Sequence, residues 1–133
     1  MKKIVALVLV LLVVYLLGYW PERQKRKAAE SNLAQLRTLA SLCRLQGELL
    51  TVIDDAENKN YGNAQSNSGV FFDDIRAQID KSPSAPYRPS LETILARRDA
   101  ITAGLSRTDP SALVPLRQSL NEIRQISQKL PPP

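Results

Sequence analysis

The 133-residue chain contains no histidine, which removes the most common general base and the commonest metal ligand. Its single cysteine, Cys43, excludes an internal disulfide and any zinc site built from several thiolates. The five glycines are scattered singly, so no loop is available to cradle a phosphate. Neither G-x-x-x-x-G-K-[ST], G-x-G-x-x-G nor G-x-S-x-G occurs. Aromatic residues make up 5% of the chain, and beyond residue 20 they are Tyr61, Phe71, Phe72 and Tyr87. No stretch alternates β-branched residues in the manner of a strand. Leu, Ala, Gln, Arg and Glu dominate instead, and they predict an all-α fold.

The most conspicuous feature is an apolar run, Ile4 to Trp20, of seventeen residues without a charge. As helix it measures ~25 Å, at the short end of what crosses a bilayer. Lys2 and Lys3 precede it, and Arg23, Lys25, Arg26 and Lys27 follow. With Tyr19 and Trp20 these form the expected membrane interface. A cleaved signal peptide fits less well, because Gly18-Tyr19-Trp20-Pro21-Glu22 offers no small-residue cleavage site. The expectation is therefore a single-pass membrane protein whose partner includes the lipid bilayer. The slightly more basic C-terminal flank favours a cytoplasmic main domain. From residue 28 onward there are twelve basic and twelve acidic residues, so the net charge of +5 belongs to the flanks. It gives no nucleic-acid footprint, which needs a basic stripe on the folded part.

The expected organisation is a membrane anchor at 1–21, a basic juxtamembrane stalk at 22–32, a helical bundle at 33–130 and a proline tail at 131–133. The bundle is small and antiparallel, with three to four helices that can be read as two hairpins. A first helix is predicted from about Glu22 to Asp55 or Ala56. Leu36, Leu39, Cys43, Leu50 and Ile53 form one stripe, and Leu42, Leu45, Leu49 and Val52 form another beside it. Together they make a face wider than a two-stranded coiled-coil seam, which suits packing against two neighbours. Gln46 and Gly47 interrupt the first stripe, where a small residue admits a close helix crossing. Asn58 to Asn63 reads as a turn. A second helix, about Asn63 to Asp80, carries Ala64, Ser68, Phe71, Phe72, Ile75 and Ile79 on one side.

Three prolines make Lys81 to Ser90 an extended linker. Ser90 is the expected cap of a third helix reaching Ser106, with Leu91, Ile94, Leu95, Ile101 and Leu105 inward. Asp109-Pro110 starts a fourth helix carrying Leu113, Leu116, Leu120, Ile123 and Leu130, with Pro115 kinking it or delaying its regular start. Segments 48 residues apart align weakly, Asp73-Asp74-Ile75-Arg76 with Asn121-Glu122-Ile123-Arg124. This fits either a duplicated helical hairpin or two unrelated amphipathic helices. The turn at Tyr61-Gly62-Asn63-Ala64 resembles half of a tetratricopeptide hairpin, which implies a helix pair at this point and nothing about activity.

No catalytic constellation emerges. Cys43 lies mid-helix on the apolar face, without a histidine or helix N-terminus to activate it, and reads as a small buried hydrophobe. Asp54-Asp55 and Asp73-Asp74 are adjacent pairs whose side chains diverge by ~100° on a helix. They match no calcium loop and read as solvated surface, so neither a metal nor a cofactor is expected. Arg97, Arg98 and Asp99, and Arg76 with Asp73 or Asp80, read as surface charge pairs. Two adjacent aromatics cannot both follow one core line. Tyr61, Phe71 and Phe72 are therefore the candidate partner contact, unless both phenylalanines are buried. These readings converge on a membrane-tethered, non-catalytic interaction or scaffold domain with an unidentified protein partner. A groove between the second and fourth predicted helices is the first place to look for it. The alternative is a structural protein that self-associates through its long first helix. No small-molecule substrate and no nucleic acid is expected.

Overall fold

The computed structural model of the chain describes the backbone of residues 2–130 and, of the side chains, those of Val8, residues 10–15 and residues 27–130. Among these residues every regular element is helical. The helices are α1 (Lys2–Glu57), α2 (Tyr61–Lys81), α3 (Arg88–Ala96), α4 (Arg98–Ser106) and α5 (Leu113–Lys129), with a short 3-10 turn at Pro110–Ala112. The chain divides into two compact units, residues 1–37 and residues 38–132. The all-helical expectation holds, and the bundle is the second unit.

The first unit corrects the membrane assignment. Its helix takes in Pro21 instead of beginning there. The side chains described in the apolar run, Val8 and residues 10–15, are exposed. Among the described residues no helix is long and apolar enough to cross a membrane. The single-pass anchor and the orientation drawn from it therefore lack support. Of the expected interface, Lys27 is exposed. The side chains of Lys2, Lys3, Tyr19, Trp20, Arg23, Lys25 and Arg26 lie outside the described residues, as does the proline tail at 131–133.

In the second unit one apolar cluster gathers Leu42, Leu45, Leu49, Val52, Ile53 and Ala56 of α1 with buried residues from every later helix. All six residues expected on the inner side of α2 are buried. They include both phenylalanines, whose rings meet edge to face with centroids 5.1 Å apart. Helix α2 lies against both α3 and α4, and two neighbours explain how adjacent residues can both turn inward. Each large side chain so buried contributes about 1.5–3 kcal/mol relative to exposure.

The connections follow local chemistry. Between α1 and α2, Asn60 N–H bonds the carbonyl of Asp55 at 2.7 Å, and Lys59 takes a left-handed φ of 61°. Pro89 stands in the first turn of α3, so that helix begins at Arg88 and Ser90 lies inside it instead of capping it. The expected third helix is two, broken at Arg97. Asp109 caps as expected, its carboxylate accepting the N–H of Ser111 at 2.9 Å. That bond holds the Asp109 carboxyl below its ordinary value. After the 3-10 turn α5 begins at Leu113, so Pro115 stands in its first turn, where its missing N–H breaks no helix bond.

Candidate functional site

The broad apolar face predicted on α1 separates into two. Leu42, Leu45, Leu49, Val52, Ile53 and Ala56 turn into the bundle. Ala40, Cys43, Gly47 and Leu50 are exposed, with Leu50 at 41%. In the first unit, Leu33 and Leu36 are exposed at 47% and 50%. This corrects the expectation that Leu36, Cys43 and Leu50 face inward. Six inner residues suffice to close the core against α2 and its neighbours, so the second stripe is left to solvent. The Cys43 thiol, expected as a buried hydrophobe, is likewise exposed.

A charged rim lies beside this face. Arg44 donates to Glu48 at 2.8 Å and, through its other arm, to Asp74 of α2. Burial raises the Glu48 carboxyl above its ordinary value, partly offset by the Arg44 hydrogen bond and reinforced by the neighbouring Asp74. One oxygen, Glu48 Oε2, is buried without a hydrogen-bond partner. Farther along, Asp55 accepts from Asn67 at 2.8 Å, and Glu57 accepts from Arg117 of α5 at 2.6 Å. Of the two aspartate pairs, Asp55 and Asp74 are thus engaged by neighbouring side chains. Among the described residues no three metal-ligating groups converge.

The phenylalanines offered as a partner contact are fully buried, so neither ring is presented to a partner. Tyr61 is half-buried against the same core. Arg97, expected in a surface pair, instead reaches α5. It donates to Glu122 at 2.6 Å and to Ser119 Oγ at 3.5 Å. The Ser119 hydroxyl in turn donates to the carbonyl of Pro115 at 2.9 Å. The pair pins the α3–α4 break to α5 and raises the Arg97 pKa further. No sequence signal marked it, because its members are separated by 22 and 25 residues.

The clefts that indent the bundle include two with polar lining residues. One, of about 510 Å³, lies between α2 and α4 and is lined by Gln65, Ser68, Gly69, Arg98, Asp99 and Thr102, among others. It lies between the second helix and the later half of the third predicted one, not beside the fourth. The other, of about 220 Å³, lies between Tyr87 and Ser90 on one side and Glu122, Ile126 and Leu130 on the other. In the first, the hydroxyls of Ser68 and Ser106 donate to backbone carbonyls, not to Asp99. No protein family, curated protein or solved structure matches the chain.

Proposed function

We propose that this chain is a non-catalytic helical interaction module whose binding surface is the outer face of α1. The observation that carries the reading is the exposure of Leu50 beside Cys43 and Gly47 on a helix whose opposite side already fills the core. An apolar helix face left in water is a characteristic docking element for a second helix. The sequence has no histidine, and the hydroxyls of Ser68, Ser106 and Ser119 donate to backbone carbonyls, not to a carboxylate, which supports a binding role over a catalytic one.

A photo-crosslinking amino acid at position 50, compared with one at exposed Gln118 of α5, tests the reading in cells. Protein adducts from position 50 and none from position 118 are expected. Equal yields at both positions, or none from position 50, would overturn it.

A further inference from the structure

We infer that the cleft between α2 and α4 binds a short peptide as a zwitterion, with Arg98 holding its carboxylate and Asp99 its ammonium group. The cleft shares no residue with the outer face of α1, so this site goes beyond the interaction reading and does not depend on it. Three observations lead to it.

The first is Arg98. It is half-buried and lines the cleft, and among the described residues its side chain has no hydrogen bond or ion pair. The other half-buried charges described in the bundle are engaged. Glu48 and Asp74 hold Arg44, and Asp55 accepts from Asn67. Arg88 pairs with Glu92 and Arg97 with Glu122, while Asp109 accepts the N–H of Ser111. A half-buried arginine without a counter-ion gains most from an anion that reaches it. Its planar fork of donors matches a carboxylate.

The second is the pairing of opposite charges in one lining. Asp99 also lines the cleft, and the surface pairing expected of Arg98 and Asp99 is not formed. A ligand with negative charge alone, such as a phosphate ester, would be repelled by Asp99. A zwitterion answers both groups. Arg98 and Asp99 are consecutive on α4, so their side chains diverge by ~100°. Two charges held apart in this way suit the separated termini of a di- or tripeptide better than the adjacent groups of a single amino acid.

The third is room with polar walls. The cleft measures about 510 Å³, a volume in the range of small-molecule sites. Gly69 of α2 lines it, and a Cβ added there would meet nothing within 4 Å. Packing inside the chain therefore does not require this glycine, and its missing side chain lets a peptide backbone approach the α2 wall. The Gln65 amide on α2 and the Thr102 hydroxyl on α4 have no partner within the chain and line the same cleft. Both can donate to and accept from peptide groups. The Ser68 and Ser106 hydroxyls donate to the carbonyls of Gln65 and Thr102, which leaves their oxygens as acceptors.

The test titrates the full chain with triglycine and follows the backbone amides by NMR. Saturable shifts centred on Gln65, Gly69, Arg98 and Thr102 are expected. Arg98→Gln should weaken binding about tenfold or more, the loss that follows removal of a charge-assisted hydrogen bond. Asp99→Asn should weaken it less, because Asp99 is exposed and its attraction is screened. Gly69→Gln puts a side chain into the cleft and should abolish the shifts. Its helical circular dichroism should be undiminished, since the new Cβ meets no obstacle and glutamine is the better helix former. Acetyl-triglycine lacks the ammonium group and triglycine amide lacks the carboxylate, so each should bind more weakly than triglycine. Lack of saturable shifts, shifts centred elsewhere, or binding that survives both Arg98→Gln and Gly69→Gln overturns the site. Blocked peptides that bind as tightly as triglycine overturn the zwitterion.

Discussion

The inner and outer sides of α1 between residues 38 and 57 both carry apolar residues and have opposite fates. The inner side is built from large residues, Leu42, Leu45, Leu49, Val52 and Ile53, and is buried. The outer side is built from Ala40, Cys43, Gly47 and Leu50, and is exposed. Size separates them, since Leu42, Leu45, Leu49, Val52 and Ala56 of the inner side follow the same alternation of three and four. Large branched side chains fill a core of irregular depth, whereas small residues lower the relief of a face. The same contrast holds for two helical glycines. At Gly104 an added Cβ would sit 2.8 Å from the Cβ of Ala112, so the close passage of α4 beside the 3-10 turn demands glycine. At Gly47 the surroundings within the chain demand nothing.

The largest break in this comparison should come from neighbouring leucines. Leu49 is fully buried, so Leu49→Ala should cost about 2–5 kcal/mol through lost transfer energy and a residual cavity. Leu50→Ala should shift stability by no more than ~0.5 kcal/mol in the monomer, being a surface change. Urea unfolding at low protein concentration measures both. Equal costs would mean that the two sides of α1 are not distinct.

The glycines come next. Gly104→Ala should destabilise by about 1–3 kcal/mol, since backbone or Ala112 must move to admit the methyl group. Gly47→Ala should stabilise by about 0.4–1 kcal/mol, because alanine is the better helix former and meets no obstacle. Thermal unfolding of the two variants should therefore move in opposite directions. A loss at Gly47 would show that the isolated chain has a use for that glycine.

The fold was legible where local chemistry decided it. The inner residues of α2 follow helical spacing, and all six are buried. Asp109 and Pro110 announce a helix start and supply one. Where distant contacts decided, the sequence was mute. Ala96-Arg97-Arg98 contains no glycine or proline, yet the helix breaks there, with Arg97 drawn to Glu122 and Ser119 on α5. The outer face of α1 was visible as hydrophobicity and misassigned as core. Spacing alone does not say how much apolar surface the rest of the chain can cover. For Phe71 and Phe72 the spacing left burial and a partner contact both open, and tertiary packing around α2 buries both.

The smallest effect belongs to the rim between the two sides. Glu48 is held partly out of water, beside Asp74, with Arg44 as its counter-ion. Burial is the largest influence, and it raises the folded-state pKa above that of the unfolded chain. Between those two values the folded protein binds more protons than the unfolded one, so stability falls as pH rises through that window. Below the window both states are protonated, and above it both are ionised with the loss complete. Glu48→Gln removes this titration and should flatten that step of the stability profile, leaving the profile elsewhere unchanged. Carbon-detected NMR of the Glu48 carboxyl should place its midpoint above the ordinary glutamate range. A midpoint at or below that range would mean that Arg44 outweighs burial, and stability would then rise with pH across the same step.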